Sequence, residues 1–309
     1  MQLSNVFQTS NPSFPIKIGS RGNDVKFIQT RLGLKADGVF GPQTKFHVME
    51  FQKANGLSAD GVVGPKTWSV LKSTKFKESS LDTSVGLQLY ETYNLDQDEM
   101  IKGQGTPEYL FYHHTAGWEN PINVIKSWNN DTRGRIATEF VIGGPSVLGT
   151  DRQHDGKIVK CMPDGWWAYH LGNVGSSNMS KNSVGIEVCN FGYLTEKNGS
   201  FYTYTNHRAS EDQIEDLGYE WRGHRYWHKY SDLQIESLYN LTKFIAERNE
   251  IDICVGLQEW INSGIQDPFG FNHDAYYGRV KGLLNHSNVR TDKTDMSPQK
   301  NLIEMIKSL

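Results

Sequence analysis

The stretch SVGIEVCN, residues 183–190, is an almost continuous apolar run. Such runs are typical of a strand that is buried on both faces of a sheet. Further strand candidates are YLFYHHTAG (109–117), TEFVIGG (138–144) and GKIVKCM (156–162). Helical patterns separate or follow these strands at residues 120–130, 231–250 and 297–309, the second opening with a Ser231/Gln234 capping box and the third with Ser297-Pro298. The alternation predicts an α/β domain with one central mixed β-sheet flanked by helices.

A sequence repeat marks the N-terminal part of the chain. ADGVFGPQT (36–44) recurs as ADGVVGPKT (59–67), the second copy starting 23 residues after the first. Each copy opens with Asp-Gly, a turn signal, and closes with Gly-Pro, which favours the start of a helix. The pattern predicts a small three-helix all-α module over residues 1–74. A polar linker with one short helix is expected over residues 75–105, followed by the α/β domain over residues 106–309.

Composition argues against several classes of protein. The formal net charge of −3 leaves no basic excess with which to neutralise nucleic-acid phosphates. No apolar run approaches the roughly 18–20 residues that a membrane span needs. Cys161, Cys189 and Cys254 are widely spaced and form neither a disulfide framework nor a CxxC zinc motif. The N-terminal stretch MQLSNVFQTSNPSFP lacks the basic and apolar regions of a secretory signal, which predicts that the chain folds in the cytoplasm.

Two histidines and an aspartate are candidates for a metal site. His113 ends the apolar run 109–117, and because strand residues alternate between faces, only one of His113 and His114 can point into a site there. The polar stretch LLNHSNVRTDKTDMSP (283–298) holds His286 and Asp295. A catalytic zinc site needs three protein ligands and an open position, and two imidazoles with a carboxylate meet that need. The alternative is that this stretch is a solvated loop.

Both parts of the chain resemble known families. The repeat, with FQKANGL and DGVVGPKTW, resembles the peptidoglycan-binding domain type 1 family over residues 15–72. Residues 106–309 resemble the zinc-dependent N-acetylmuramoyl-L-alanine amidase family (amidase type 2), to which phage amidase-type lysozymes and peptidoglycan-recognition proteins are related. The matching motifs, in the family's order, are FYHHTAG, AYHLG, SVGIE and NHSNVRTDKTDMSP.

The resemblance implies a role for each matching residue. His113, His286 and Asp295 would bind Zn²⁺, Glu187 would be the general base, and Lys293 would stabilise the oxyanion. Contacts with substrate are expected from His170, Thr138 and Tyr169. The alternatives are that Glu187 is a core glutamate paired with an arginine or lysine, and that Lys293 is an exposed loop lysine.

The chain departs from the family pattern in three places. Thr138-Glu139 stand where many relatives carry Tyr-His, and Tyr169-His170 stand where many carry Trp-His. Residues 192–227, rich in Tyr, Trp and Arg, look like an enlarged insertion that either shapes the substrate groove or packs on the sheet. GHRYWH (223–228) has a His-x-x-x-His spacing, but it lacks the adjacent Glu of a helical zinc motif and its flanks are typical of a loop.

The implied activity is hydrolysis of the amide between N-acetylmuramic acid and the L-alanine of the stem peptide in bacterial peptidoglycan. A non-catalytic peptidoglycan receptor is one alternative, and its mark would be a lost zinc ligand. A zinc peptidase of the wall is another, but its His-x(6)-Asp…His-x-His pattern does not occur. We expect a monomer without nucleic-acid partners or membrane insertion. A phage endolysin, held in the host cytoplasm until lysis, fits these expectations.

Overall fold

A computed structural model describes residues 12–32, 36, 38–73, 89–176 and 178–309. The chain divides into two compact units, Met1–Gly86 and Leu87–Leu309. None of the helices in the described part is long and apolar enough to cross a membrane.

The first unit is helical, as predicted. Its helices are α1 (Asn23–Arg31), α2 (Pro42–Ala54) and α3 (Pro65–Ser73). Both prolines of the repeated Gly-Pro pairs stand at the first helical position, where the missing N–H has no partner to lose. A core of buried side chains joins the helices to the loops between them: Ile16, Val25, Ile28, Phe40, Val48, Val63, Trp68 and Leu71.

A buried glutamine in the helix before each copy of the repeat is hydrogen-bonded to the Asp-Gly loop of that copy. The Gln29 side chain accepts a hydrogen bond from Gly38 N (2.8 Å) and donates to Val39 O (3.0 Å). The equivalent bonds of Gln52 are from Gly61 N (2.9 Å) and to Val62 O (3.0 Å). The sequence repeat is therefore a repeated hydrogen-bond arrangement, with each loop held by a glutamine that the motif itself does not contain.

The second unit contains the remaining strands and helices. The strands are β1 (Glu91–Thr92), β2 (Ile101–Lys102), β3 (Tyr109–His114), β4 (Phe140–Ile142), β5 (Ile158–Lys160), β6 (Trp166–Trp167), β7 (Ser183–Val188), β8 (Tyr193–Lys197), β9 (Ser200–Tyr202), β10 (Ile214–Trp221), β11 (His224–His228) and β12 (Gly282–Asn285). The helices are α4 (Pro121–Asn129), α5 (Asp232–Asn249), α6 (Leu257–Asn262), α7 (His273–Tyr276), α8 (His286–Val289) and α9 (Lys300–Lys307), with short 3₁₀ turns at Gln97–Glu99 and Glu211–Gln213.

Six strands form the main sheet, in the order β1-β5-β4-β7-β3-β12. β7 lies between β3 and β4 and is parallel to both, β12 is parallel to β3, and β5 is antiparallel to β4. The predicted mixed α/β fold is therefore confirmed. The run at residues 183–190 supplies an interior strand because its apolar side chains can be buried on both faces.

The two faces of β3 and β7 have different neighbours. Tyr112 and Ile186 belong to a large core that includes Leu238 and Leu241 of α5 and Leu302 of α9. Because strand residues alternate, His113 and Glu187 lie on the opposite face, next to each other in the β3–β7 register. This second face forms the floor of the candidate site.

The insertion folds as a separate antiparallel sheet, in the order β10-β11-β8-β9. Residues 224–228 of the GHRYWH stretch form strand β11, so the two histidines of its His-x-x-x-His spacing do not lie on a helix, while Arg222 in a turn and Lys229 in a loop flank the strand. Within the strand, Trp227 is fully buried and His228 is 1% exposed. The final helix also starts later than predicted, at Lys300, because Gln299 is extended and its side chain bonds to Tyr230 N and His228 O.

The described part of the predicted linker, residues 89–105, is ordered against the second unit. Glu91 and Thr92 pair with β5, and Leu95 and Met100 are buried in the core that contains Val141. In the sequence these apolar residues stand among acidic ones, so the segment has a polar composition and was predicted to be a linker. The domain boundaries 1–74, 75–105 and 106–309 otherwise stay a prediction.

We expect Gln52→Met to destabilise the first unit by about 1–3 kcal/mol, because the buried Gly61 N–H loses its acceptor. Hydrogen exchange measured on the full chain should show faster exchange in peptides covering residues 56–63. Ser58→Ala, at an exposed position of the same loop, is the matched control and should leave exchange unchanged. Equal protection in parent and Gln52→Met would contradict the role of the glutamine.

Candidate metal centre

Parallel pairing of β3 and β12 places His113 beside His286. Asn285 is the register partner of Tyr112, so the residues that follow them, His286 at the start of α8 and His113 in β3, lie at the same end of the two strands. Asp295 lies in the loop that follows α8, and its backbone carbonyl accepts a hydrogen bond from Ser287 N (3.2 Å). Three residues separated by up to 182 positions in the sequence thus meet at one point.

The three side chains offer donor atoms at short mutual distances. His286 Nδ1 lies 3.0 Å from His113 Nδ1 and 2.8 Å from Asp295 Oδ2, and His113 Nδ1 lies 3.4 Å from Asp295 Oδ2. His113, His286 and Asp295 are 3%, 6% and 7% exposed. Ligands about 2.1 Å from a tetrahedral zinc ion are about 3.4 Å from one another, so this donor set fits Zn²⁺ with slight expansion.

The charge states of His113 and Asp295 also suit a metal ion. Burial, and then the neighbouring His286, lower the pKa of His113 to about 4, so its imidazole is neutral. Burial acts to raise the pKa of Asp295, but the facing His286 and His113 outweigh it and hold the pKa well below its usual range. Metal ligands must be neutral imidazoles or ionised carboxylates. Both conditions are met before any ion binds.

A chain of hydrogen bonds fixes which nitrogen of His113 faces this point. Ser183 Oγ donates to Ser180 O (3.2 Å), so it accepts from His170 Nε2 (2.8 Å). His170 Nδ1 must then accept from His113 Nε2 (2.9 Å). The lone pair of His113 therefore lies on Nδ1, the atom that faces His286 and Asp295. His170 is partly buried, lines the cleft and orients the ring of His113, and its predicted contact with substrate stays a prediction.

Because Gly185 has no side chain, it leaves space for the hydrogen-bonded side chains of Ser183, His170 and His113. A Cβ atom at that position would lie 2.7 Å from Thr138 Cγ2 and 3.2 Å from His170 Nδ1. The glycine of SVGIE thus allows His170 to pack directly on the sheet. Thr138 is 2% exposed and its hydroxyl donates to Phe140 O (3.0 Å), so that hydroxyl hydrogen is not free for a ligand. Its predicted role in substrate binding stays a prediction.

Glu187 is the register partner of His113, and its side chain has no hydrogen bond or ion pair with any described residue. Burial, and then the charge of Asp295, raise the pKa of Glu187 well above its usual range. Glu139, on a neighbouring segment, is different, because it forms a bidentate pair with Arg248 at 2.7 and 3.0 Å. The alternative role considered for Glu187, a core glutamate paired with an arginine, is therefore the role that Glu139 has.

An open cleft of about 1190 Å³ lies over these groups. Its lining residues include Tyr169, Arg135, Trp128, Arg290 and Lys293. Tyr169 is 47% exposed and packs edge-on against Trp167, which leaves it accessible to a ligand. Lys293 is partly exposed at the cleft and has no ion-pair partner among the described residues.

His114, on the other face of β3, has a structural role. Ser297 N donates to Tyr230 Oη (3.3 Å), and this hydroxyl bonds to His114 Nδ1 (3.1 Å). The bonds link β3 to the segment that follows Asp295. The expectation that one histidine of the pair points into the site thus agrees with the geometry, and the other histidine supports the site from behind.

Sequence reasoning missed Asn285 and Ser183. The Asn285 side chain accepts from Met296 N (2.6 Å) and donates to Met296 O (2.9 Å), which holds the residue after Asp295 next to the residue before His286. Ser183 anchors the His170–His113 chain. A buried amide side chain needs hydrogen-bond partners, so an asparagine at the end of an apolar run was a candidate for a structural role. Its partner lies 11 residues away and could not be identified from the sequence.

Two family models match the chain. Residues 21–71 match the family described as "Putative peptidoglycan binding domain". Residues 103–297, more than half of the chain, match the N-acetylmuramoyl-L-alanine amidase family. A search of curated proteins gave no match.

Several solved structures are similar to parts of the chain. The fused Zn-dependent amidase/peptidase/peptidoglycan-binding domain-containing protein from Clostridium acetobutylicum ATCC 824 is 38% identical over 21% of this chain and 31% of its own, with a TM-score of 0.20. The Burkholderia AP3 phage endolysin is 38% identical over 22% and 28%, with a TM-score of 0.19. The endolysin N-acetylmuramoyl-L-alanine amidase LysCS from Clostridium intestinale URNW is 16% identical over 71% and 93%, with a TM-score of 0.37. The chain thus spans about a third or less of the length of the first two proteins.

We expect Glu187→Gln to raise the melting temperature of the metal-free protein at neutral pH. A carboxyl whose folded-state pKa is raised favours folding while protonated, and that contribution is lost as the pH rises through the folded pKa. The amide of glutamine has no charge to bury. Calorimetry in a chelator should show similar melting temperatures near pH 4 and a gap that widens toward neutral pH.

Glu139→Gln, at the residue before β4, is the matched control. It should lower the melting temperature, because Arg248 would lose its bidentate partner. A Glu187→Gln protein that is less stable than the parent at neutral pH would show that Glu187 is a paired structural residue.

Proposed function

We propose that this chain, which belongs to the N-acetylmuramoyl-L-alanine amidase family, is a zinc-dependent hydrolase of the bacterial cell wall. Its substrate would be the amide between N-acetylmuramic acid and the L-alanine of the peptidoglycan stem peptide. The observation that carries the proposal is the buried His113–His286–Asp295 cluster in a large cleft, with Glu187, which has no ion pair among the described residues, beside it.

His113, His286 and Asp295 would hold the zinc ion. The ion supplies Lewis acidity toward a carbonyl oxygen and toward water. His170 keeps the proton of His113 on Nε2 and so keeps Nδ1 available. Asn285 keeps Asp295 in reach of both histidines by fixing the backbone of Met296. Such outer contacts orient ligands and strengthen metal binding.

Glu187 would accept the proton of the attacking water and deliver a proton to the leaving nitrogen of L-alanine. A general base works best when its pKa lies near the working pH, and the burial of Glu187 shifts its pKa in that direction. Glu187 has no competing ion pair among the described residues, so its carboxylate is free to take the proton. These are the properties of a catalytic carboxylate and differ from those of the paired Glu139.

Lys293 would stabilise the negative charge that develops on the carbonyl oxygen. Lys293 lines the cleft and precedes Asp295 by two residues in the sequence. A preorganised positive charge in a partly dehydrated site is an effective source of transition-state stabilisation. Tyr169, Thr138 and His170, which line the same cleft, would contact the sugar or the stem peptide.

The receptor and peptidase alternatives are less consistent with the site. A receptor needs no unpaired carboxylate at such cost in stability. We retain the endolysin assignment, the monomeric state and the absence of nucleic-acid partners as predictions.

The first unit would bind the wall polymer. It matches a peptidoglycan-binding family and holds none of the candidate catalytic residues. Attachment to an insoluble substrate raises the local concentration of the second unit on that substrate without adding a group to the reaction.

Digestion of purified sacculi tests the activity. Mass spectrometry should find new free L-alanine amino termini with intact glycan chains. Asp295→Ala should lose most of its zinc and on the order of a hundredfold or more in rate, since even outer contacts of a metal site are worth ten- to a hundredfold. Asp292→Ala is the matched control, because Asp292 is exposed and pairs with Arg290, and it should keep the parent's zinc content. New reducing sugar ends, or cleavage within the stem peptide only, would contradict the proposal.

Removing the first unit should separate binding from chemistry. A chain of residues 79–309 should cleave a small soluble muropeptide about as fast as the full chain. On intact sacculi it should be on the order of tenfold or more slower, because it no longer concentrates on the wall. Residues 1–74 should pellet with sacculi and cleave nothing. If truncation slows both substrates equally and residues 1–74 stay in the supernatant, the repeat is a structural cap.

A further inference from the structure

The β10–β11 hairpin of the insertion ends in an unusual turn. Trp221 pairs with His224, which leaves Arg222 and Gly223 as a two-residue loop. Their φ angles are 50° and 79°. Two-residue loops with positive φ at both positions favour Asn-Gly, Asp-Gly or Gly-Gly. An arginine in the left-handed region costs roughly 1–2 kcal/mol, so its side chain is expected to have a use elsewhere.

The Arg222 guanidinium donates to backbone carbonyls next to the metal ligands. Nη1 lies 2.7 Å from Thr291 O and 3.4 Å from Arg290 O, and Nη2 lies 3.0 Å from Ser287 O. Ser287 follows His286 directly. Thr291 precedes Lys293 by two residues and Asp295 by four. The Arg222 side chain therefore contacts the backbone at Ser287, next to the candidate ligand His286, and at Thr291, in the turn that leads to Asp295.

These carbonyls need an outside donor. α8 has four residues, so the carbonyls at its end have no partner within the helix. Arg222 supplies such a donor, because its guanidinium reaches Thr291 O from another strand pair of the same unit. Trp221 holds the hairpin in place, since its Nε1 donates to Asp267 Oδ1 (3.2 Å) and its ring contacts the guanidinium at 5.4 Å.

We propose that Arg222 is a positioning residue of the metal centre, and that the β10–β11 hairpin of the insertion is a brace for the loop that carries Lys293 and Asp295. The inference rests on the proposed function, because the loop matters through the zinc ion and the oxyanion that it would serve. Without the guanidinium, the carbonyls of Ser287, Arg290 and Thr291 lose this donor, and the segment between His286 and Asp295 samples wider positions. Both zinc retention and turnover then fall.

Arg222→Asn tests this inference with little harm to the turn. Asparagine is favoured at the first position of such a loop, so the melting temperature of the metal-free variant should equal or exceed that of the parent. Zinc release to a chromogenic chelator should be about tenfold faster, and kcat on a soluble muropeptide about tenfold lower. A purely structural role would lower the melting temperature and leave zinc release unchanged. Arg222→Lys, which restores one positive donor, should recover part of the loss.

Arg225→Asn is the matched control. Arg225 lies on the same hairpin, but its guanidinium pairs with Asp216 at 2.7 and 2.8 Å. It should release zinc at the parent rate. Equal zinc release and kcat in the parent and Arg222→Asn, or an unfolded Arg222→Asn protein, would overturn the brace. A parent that holds zinc and hydrolyses muropeptide keeps the proposed function standing in either case. A parent that binds no zinc would overturn both.

Discussion

Parallel pairing at one edge of the main sheet is the constraint on which the rest of the site depends. β12, β3 and β7 run in the same direction, so their register sets His286, His113 and Glu187 side by side. The alternation of strand residues then decides which face each side chain occupies. A shift of one residue in the β3–β7 register would move His113 away from Glu187 and bring His114 to the site face. The hydrophobic core on the opposite face, with Tyr112 and Ile186, prevents that shift because it would expose the core side chains.

The site keeps charges that a stable core would avoid. Asp295 is held ionised and buried beside His113 and His286, and the side chain of Glu187 has no partner among the described residues. Surrounding groups restrain this arrangement from several directions: Ser183 through His170, Asn285 through Met296, Tyr230 through His114, and Arg222 through Thr291. Buried polar groups of this kind are usually satisfied. In the described residues His286 Nε2 is an exception, as it is buried without a hydrogen-bond partner.

Features that depend on neighbouring residues were predictable from the sequence. The apolar run at residues 183–190 indicated an interior strand, the capping box at Ser231 and Gln234 indicated the start of α5, and Gly-Pro indicated the starts of α2 and α3. The family motifs led to His113, His286 and Asp295, which the fold brings together. Features that depend on distant contacts were not predictable. β12 has four residues and gave no strand signal, β11 is strand because its side chains are buried, and Arg222 acts on residues up to 69 positions away.

The central claim is that His113, His286 and Asp295 hold one zinc ion at the edge of the sheet. Anomalous diffraction at the zinc absorption edge, on crystals of the full chain grown with zinc, tests it most directly. The account predicts one strong peak within about 2.0–2.2 Å of His113 Nδ1, His286 Nδ1 and an oxygen of Asp295, and its loss after soaking in chelator. A zinc peak at other residues, or none near these three atoms at full zinc occupancy in solution, would contradict it.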